Sequence, residues 1–183
     1  MTNKAIFAGG GFWCTEHDLR AIPGVTDVVS GYTGDSAETA SYEQVATHTT
    51  HHRESVEVTY DSDKTSFKKL TQFFLDHIDP TDAGGQFYDR GESYKTAIYF
   101  QNPEEEKIAN DLIKELGESG IYNKPIVVDV LPAQPFYKAE EFHQNYAEKN
   151  PAHYASYRKG SGKEDFVNNV CIIRDEKQMH WKD

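Results

Sequence analysis

Three consecutive glycines, Gly9-Gly10-Gly11, stand between an apolar stretch and the sequence Phe12-Trp13-Cys14-Thr15-Glu16, and they leave the chain few ways to continue. Residues 4–8 have the composition of a short strand, the glycines permit a tight turn, and residues 12–21 read as a helix that Pro23-Gly24 ends. Backbone amides gather at the opening of such a helix, and its positive dipole end favours anions, so a thiol held there tends toward thiolate. Phe12 and Trp13 supply material for the apolar wall of a pocket. From this segment alone the bland reading leads: Cys14 lies about one turn inside the helix, where a cysteine serves as a small buried hydrophobe more often than as a nucleophile. A glycine run before a helix also suits a phosphate cradle, but Gly-Gly-Gly-Phe-Trp-Cys has neither the GxGxxG spacing nor a Lys-Ser/Thr ending, so nucleotide binding is set aside.

The chain has 183 residues, enough for one domain with a proper core. Its 19 Lys and Arg against 30 Asp and Glu give a net charge of -11, which argues against nucleic acid or an anionic membrane as a partner. No apolar run approaches a membrane span and the start Met-Thr-Asn-Lys-Ala-Ile-Phe lacks the apolar core of a signal peptide, so the cytoplasm is the expected location. Two cysteines, Cys14 and Cys171, are too few for a disulfide framework in a chain of this length.

Strand and helix signals alternate. Residues 25–32 and 54–60 have strand composition, and Glu54-Ser55-Val56-Glu57-Val58-Thr59-Tyr60 alternates with a period of two. Residues 66–78 and 103–117 carry apolar side chains at helical spacing; residues 94–100 and 126–131 supply two further strands, and 138–148 reads as a short helix. The expected class is α+β. From Pro151 the pattern weakens, and a coil or frayed tail is expected. His48, His51, His52 and Glu54 crowd the start of one strand, but their spacing matches no established ligand pattern, and no metal is expected. Taken singly, Glu54, Asp89, Tyr94 and Tyr146 read as ordinary surface or packing residues.

Read together, these pieces resemble the A-type peptide methionine sulfoxide reductases. Gly10 to Glu16 follows the signature Gly-Cys-Phe-Trp-Cys/Gly-x-Glu except at one position. Pro23-Gly24-Val25, Gly31-Tyr32-Thr33-Gly34, Tyr42-Glu43-Gln44-Val45, Glu54-Ser55-Val56-Glu57-Val58, Asp79-Pro80-Thr81, Asp89-Arg90-Gly91, Tyr94-Lys95-Thr96-Ala97-Ile98-Tyr99, His143-Gln144, Tyr146 and Lys149-Asn150-Pro151 follow in family order. The resemblance implies a ferredoxin-like two-layer α/β sandwich with a mixed sheet and a long C-terminal coil, a single domain over residues 1–183 with a variable tail from about residue 159. It also implies reduction of the S epimer of methionine sulfoxide, free or in proteins.

In that family a cysteine at the helix start attacks the sulfoxide sulfur and becomes a sulfenic acid, which a second thiol resolves, with thioredoxin as the usual reductant and no metal or organic cofactor. The match then implies Glu54 as proton donor, Tyr32 and Tyr94 as phenols on the sulfoxide oxygen, Phe12 and Trp13 as the cage for the methyl group, and Asp89 and Tyr146 as supports. The departure is Gly11, which stands where the family carries its nucleophile. Cys14 matches a second cysteine found in some members. Two readings stay open: a reductase whose nucleophile has been replaced, and a binder that keeps the sulfoxide pocket without chemistry. Turnover through Cys14 is the weaker third, because one helical turn displaces it by about 5 Å.

Overall fold

The computed structural model describes residues 1–183. Along the chain run β1 (Thr2–Ala8), α1 (Phe12–Arg20), β2 (Val25–Thr33), α2 (Tyr42–Val45), β3 (Arg53–Asp61), α3 (Phe67–Asp76), β4 (Gly85–Gln86), β5 (Asp89–Arg90), β6 (Ala97–Phe100), α4 (Pro103–Glu118), β7 (Asp129–Pro132), β8 (Phe136–Lys138), α5 (Tyr146–Lys149), α6 (Pro151–Gly160) and α7 (Lys163–Glu176). Six strands form one mixed sheet in the order β7-β6-β1-β3-β2-β8, with β6 and β7 parallel and the other pairs antiparallel. Mixed sheet and helices make the fold α+β.

Alternation along β1 sorts its side chains between two cores. Ala5 and Phe7 join Val56, Val58, Leu70, Phe74, Ile98, Leu112 and Leu116 in the larger cluster, while Ile6 and Ala8 face the other way with Ala97 and Tyr99. The helices start where local chemistry allows. Ser66 caps α3 by accepting from the Lys69 amide, and Asn102 caps α4 ahead of Pro103 and three glutamates in the first turn. Ordinary strand pairing sets Tyr32 on β2 opposite Glu54 on β3.

The C-terminal third differs from expectation. Residues 138–148 do not make one helix: β8 pairs with β2, a 3-10 turn spans Glu141–His143, and α5 starts after Asn145 in the left-handed region at φ 52°. Tertiary hydrogen bonds override the local pattern, because the Gln144 side chain bonds both the amide and the carbonyl of Ser30 and completes the edge of β2. Nor is the end of the chain a coil. Residues 151–176 form two helices, with Asn150-Pro151 opening α6 and Gly162, at φ 85°, opening α7. Arg158 bonds Asp18 of α1 at 2.9 Å, Arg174 and Trp181 bond Asp76 of α3, and the Arg174 guanidinium lies over the Trp181 ring. No helix is long and apolar enough to cross a membrane.

Candidate active site

The turn between β1 and α1 assigns different tasks to its glycines. Gly10 has φ +83°, and a Cβ there would meet Gln86 at 2.6 Å, so this position needs glycine. Gly11, at φ -56° and ψ 127°, has a backbone any L residue adopts and is the N-cap of α1 without supplying a side-chain cap. A Cβ on residue 11 would point toward Asp89 Oδ2 at 2.7 Å and the Tyr157 hydroxyl at 3.4 Å. Nothing in the backbone calls for glycine at the one position where the family signature is broken.

Two carboxyls meet the free amides at the head of α1. Glu54, near the start of β3, accepts from the Phe12 amide at 3.3 Å. It is 5% exposed, and burial pushes its pKa up to about 8, with the Phe12 amide and Tyr94 opposing and Asp89 adding to the rise. Glu54 therefore holds its proton at neutral pH. Asp89, on β5, takes hydrogen bonds from the Gly11 amide and the Tyr157 phenol; burial raises its pKa too, against Tyr157, Lys163 and Gly11. Tyr94 closes a 3-10 turn just before β6, not a strand as expected, and that turn brings its phenol to Glu54. Burial raises the Tyr94 pKa, so the phenol stays a donor.

These groups line a cavity of about 100 Å³ together with Phe12, Trp13, Tyr42 and His143. A water molecule's share of liquid volume is about 30 Å³, so the space suits a small sulfinyl group rather than a large ligand. The Trp13 indole lies flat on Tyr146 at 3.7 Å and donates to His143 Nδ1 at 3.1 Å. With Nδ1 accepting, Nε2 carries the ring hydrogen; that atom is buried without a partner, and burial lowers the His143 pKa. The walls combine a fixed aromatic plane with donors held in the dry, which can grip a methyl group at one end and an oxygen at the other.

Not every expected residue reaches this cavity. Tyr32 is fully buried behind Phe12, its phenol donates to Glu140 at 3.0 Å, and it is not among the lining side chains. Tyr146 acts only through Trp13, its hydroxyl paired with His153. Cys14 is buried on the far side of Gly11, in a crevice of about 10 Å³ with Gln86, Phe87, Asp89, Tyr157, Ser161 and Lys163. Cys171 is exposed on α7 and lines neither space. The histidines disperse: His52 Nε2 bonds the Ser36 carbonyl, His48 bonds Ser93, and no three His, Cys, Asp or Glu side chains group closely enough to hold an ion.

Sequence reasoning missed Tyr42, His143 and Tyr157. Tyr157 was discoverable, because Asn150-Pro151 followed by Tyr154 and Tyr157 at helical spacing marks a helix with an aromatic face.

The family model for peptide methionine sulfoxide reductase matches residues 3–174. A peptide methionine sulfoxide reductase MsrA of Bacillus velezensis is 49% identical over 179 residues, covering 98% of this chain and 96% of its own, and that of Bacillus subtilis is 49% identical over 164 residues, covering 90% and 93%. Among solved structures, the reduced form of Mxr1 from Saccharomyces cerevisiae superposes with a TM-score of 0.77 at 28% identity, covering 82% of this chain and 87% of that one. Methionine sulfoxide reductase A of Corynebacterium diphtheriae gives 0.71 at 30% identity, covering 82% and 76%. The chain belongs to the peptide methionine sulfoxide reductase family, in its A-type branch.

Proposed function

We propose that this chain carries the site for thiol-dependent reduction of methionine S-sulfoxide, with the attacking thiol's position taken by Gly11. The observation that carries the reading is a buried Glu54 kept protonated beside a small aromatic cavity, at the helix opening where residue 11 points its side chain. A sulfoxide seated there puts its methyl group on the Trp13 plane and its oxygen near Glu54 and Tyr94. When a thiolate at position 11 attacks the sulfur, Glu54 gives its proton to the departing oxygen, the substrate leaves as the thioether, and the sulfur at position 11 becomes a sulfenic acid. A second thiol forms a disulfide with it and water leaves; thioredoxin is the proposed reductant. The proposed architecture is a ferredoxin-like layering in a single domain over residues 1–183, acting in the cytoplasm.

A second reading, a module that binds the sulfoxide without reducing it, draws on one observation. The Asp89 carboxyl, tied to Tyr157, already fills the space a side chain at residue 11 would take. Turnover of an S-sulfoxide peptide with dithiothreitol separates the two, using the chain as written, Cys14→Ser and Gly11→Cys. The replaced-nucleophile reading expects negligible turnover from the first two and robust turnover from the third. Binding without any gain from Gly11→Cys favours the module, and activity of the chain that vanishes in Cys14→Ser makes Cys14 the nucleophile.

A further inference from the structure

The aromatic lining does not stop at the cavity's mouth. Tyr42 lines the cavity yet is 41% exposed, and its ring lies 4.8 Å from that of His143. Phe142, 59% exposed, packs against His143 at 4.1 Å. Within the 3-10 turn Glu141–His143, the histidine is buried while the phenylalanine before it is held in solvent. A single exposed phenylalanine needs no explanation. This one differs because ring-to-ring contact joins it to a cavity that holds the chemistry.

We propose that Tyr42, His143 and Phe142 form a subsite for the side chain that flanks methionine sulfoxide in an extended peptide, and that it selects an apolar or aromatic neighbour. The inference rests on the reading of the cavity as the sulfoxide site. Spacing supports the occupant: an extended chain advances about 3.3 Å per residue, so a side chain one or two positions from the sulfoxide spans the ring-to-ring steps of the ledge. Charge supports it as well. Glu140 and Glu141 precede Phe142 in sequence on a chain of net charge -11; Glu141 is paired with Lys138 and Lys149, whereas Glu140 has no cation partner and repels a carboxylate brought to the ledge. Glu140 is engaged by the Tyr32 hydroxyl and the Tyr42 amide, which fixes it beside the ledge.

Calorimetry with the full chain tests this with acetylated pentapeptide amides that carry the S-sulfoxide at the centre of an alanine background. A single Phe or Glu is placed one or two residues to either side. At one of these positions Phe binds about fivefold tighter than Ala, the scale of a modest apolar contact, and Glu binds more weakly than Ala. Phe142→Ala removes the advantage of Phe and leaves the all-alanine peptide's affinity unchanged, while Phe142→Lys turns Glu into the favoured neighbour. Equal binding of Phe and Ala at every position overturns the inference, as does an advantage that survives Phe142→Ala. Failure of the all-alanine peptide to bind the parent chain strikes the sulfoxide-site reading itself and takes this inference with it, so the two failures are told apart.

Discussion

Two glutamates are buried about α1, one on the helix and one at its head, and their surroundings make them different reagents. On the helix, Glu16 accepts from Arg20 at 2.8 Å, from the Ser30 hydroxyl at 2.9 Å and from the Asn145 amide at 2.8 Å. At the helix head, Glu54 has one amide at 3.3 Å, a phenol, a second carboxyl nearby and no cation paired with it. Glu16 is a joint: its three partners come from α1, β2 and the residue before α5, and they fix how those pieces meet. Glu54 is a stored proton. Burial alone separates nothing here, since both are nearly inaccessible; what separates them is whether an ionised carboxylate would find its charge answered.

The contrast can be broken most directly by rate. In a Gly11→Cys background, Glu54→Gln is expected to slow sulfoxide reduction roughly 10²- to 10⁴-fold, the range of general acid work. A loss below tenfold, measured by single-turnover release of the thioether, removes Glu54 from the proton path.

Glu16→Gln should do the reverse. It costs about 2 to 3 kcal/mol of stability in urea denaturation, because hydrogen bonds to a charged group are lost, while the rate per folded molecule changes by less than about twofold. A folded Glu16→Gln protein without activity would erase the distinction between joint and reagent.

The smallest expected effect is on the pH dependence of stability. Glu54 has its folded pKa raised to about 8 from 4.5, so the folded state holds the proton longer than the unfolded one. Its contribution is fully present below about pH 4.5 and is lost as pH climbs toward 8, at up to about 1.4 kcal/mol per pH unit. The stability difference between the parent and Glu54→Gln should therefore change across pH 5 to 8. A pH-independent difference for Glu54→Gln means that its proton is not held.

What could be read in advance follows the same divide between local and distant causes. The turn before α1, the alternation of β3 and the apolar stripes of α3 and α4 are written in neighbouring residues, and the structure has them within two or three residues of expectation. The position of Glu54 at the head of α1 depends on pairing between β1 and β3, and only the family signature pointed to it. The helices α6 and α7 were missed because few of their apolar side chains are buried, chiefly Tyr154 in one and Val167 and Val170 in the other, too sparse for a periodic signal. Tyr32 was given the cavity and instead donates to Glu140, a partner more than a hundred residues away that no window on the sequence can weigh. The bond from Tyr157 to Asp89 spans 68 residues, so the aromatic face of α6 was open to local reading while its partner was not.

The sheet order carries a consequence for biosynthesis. The first strand to leave the ribosome is β1, yet its neighbours are β3 and β6, so one of its edges stays open until residue 97 and beyond has been translated. An apolar strand with an unpaired edge is a template for pairing with other chains. The cavity is completed later still, when α6 brings Tyr157 to Asp89. Nascent chains that stall before that helix hold the carboxyls and the Trp13 plane without their last wall, and ribosome-bound intermediates of this length are where chaperone dependence is expected to concentrate.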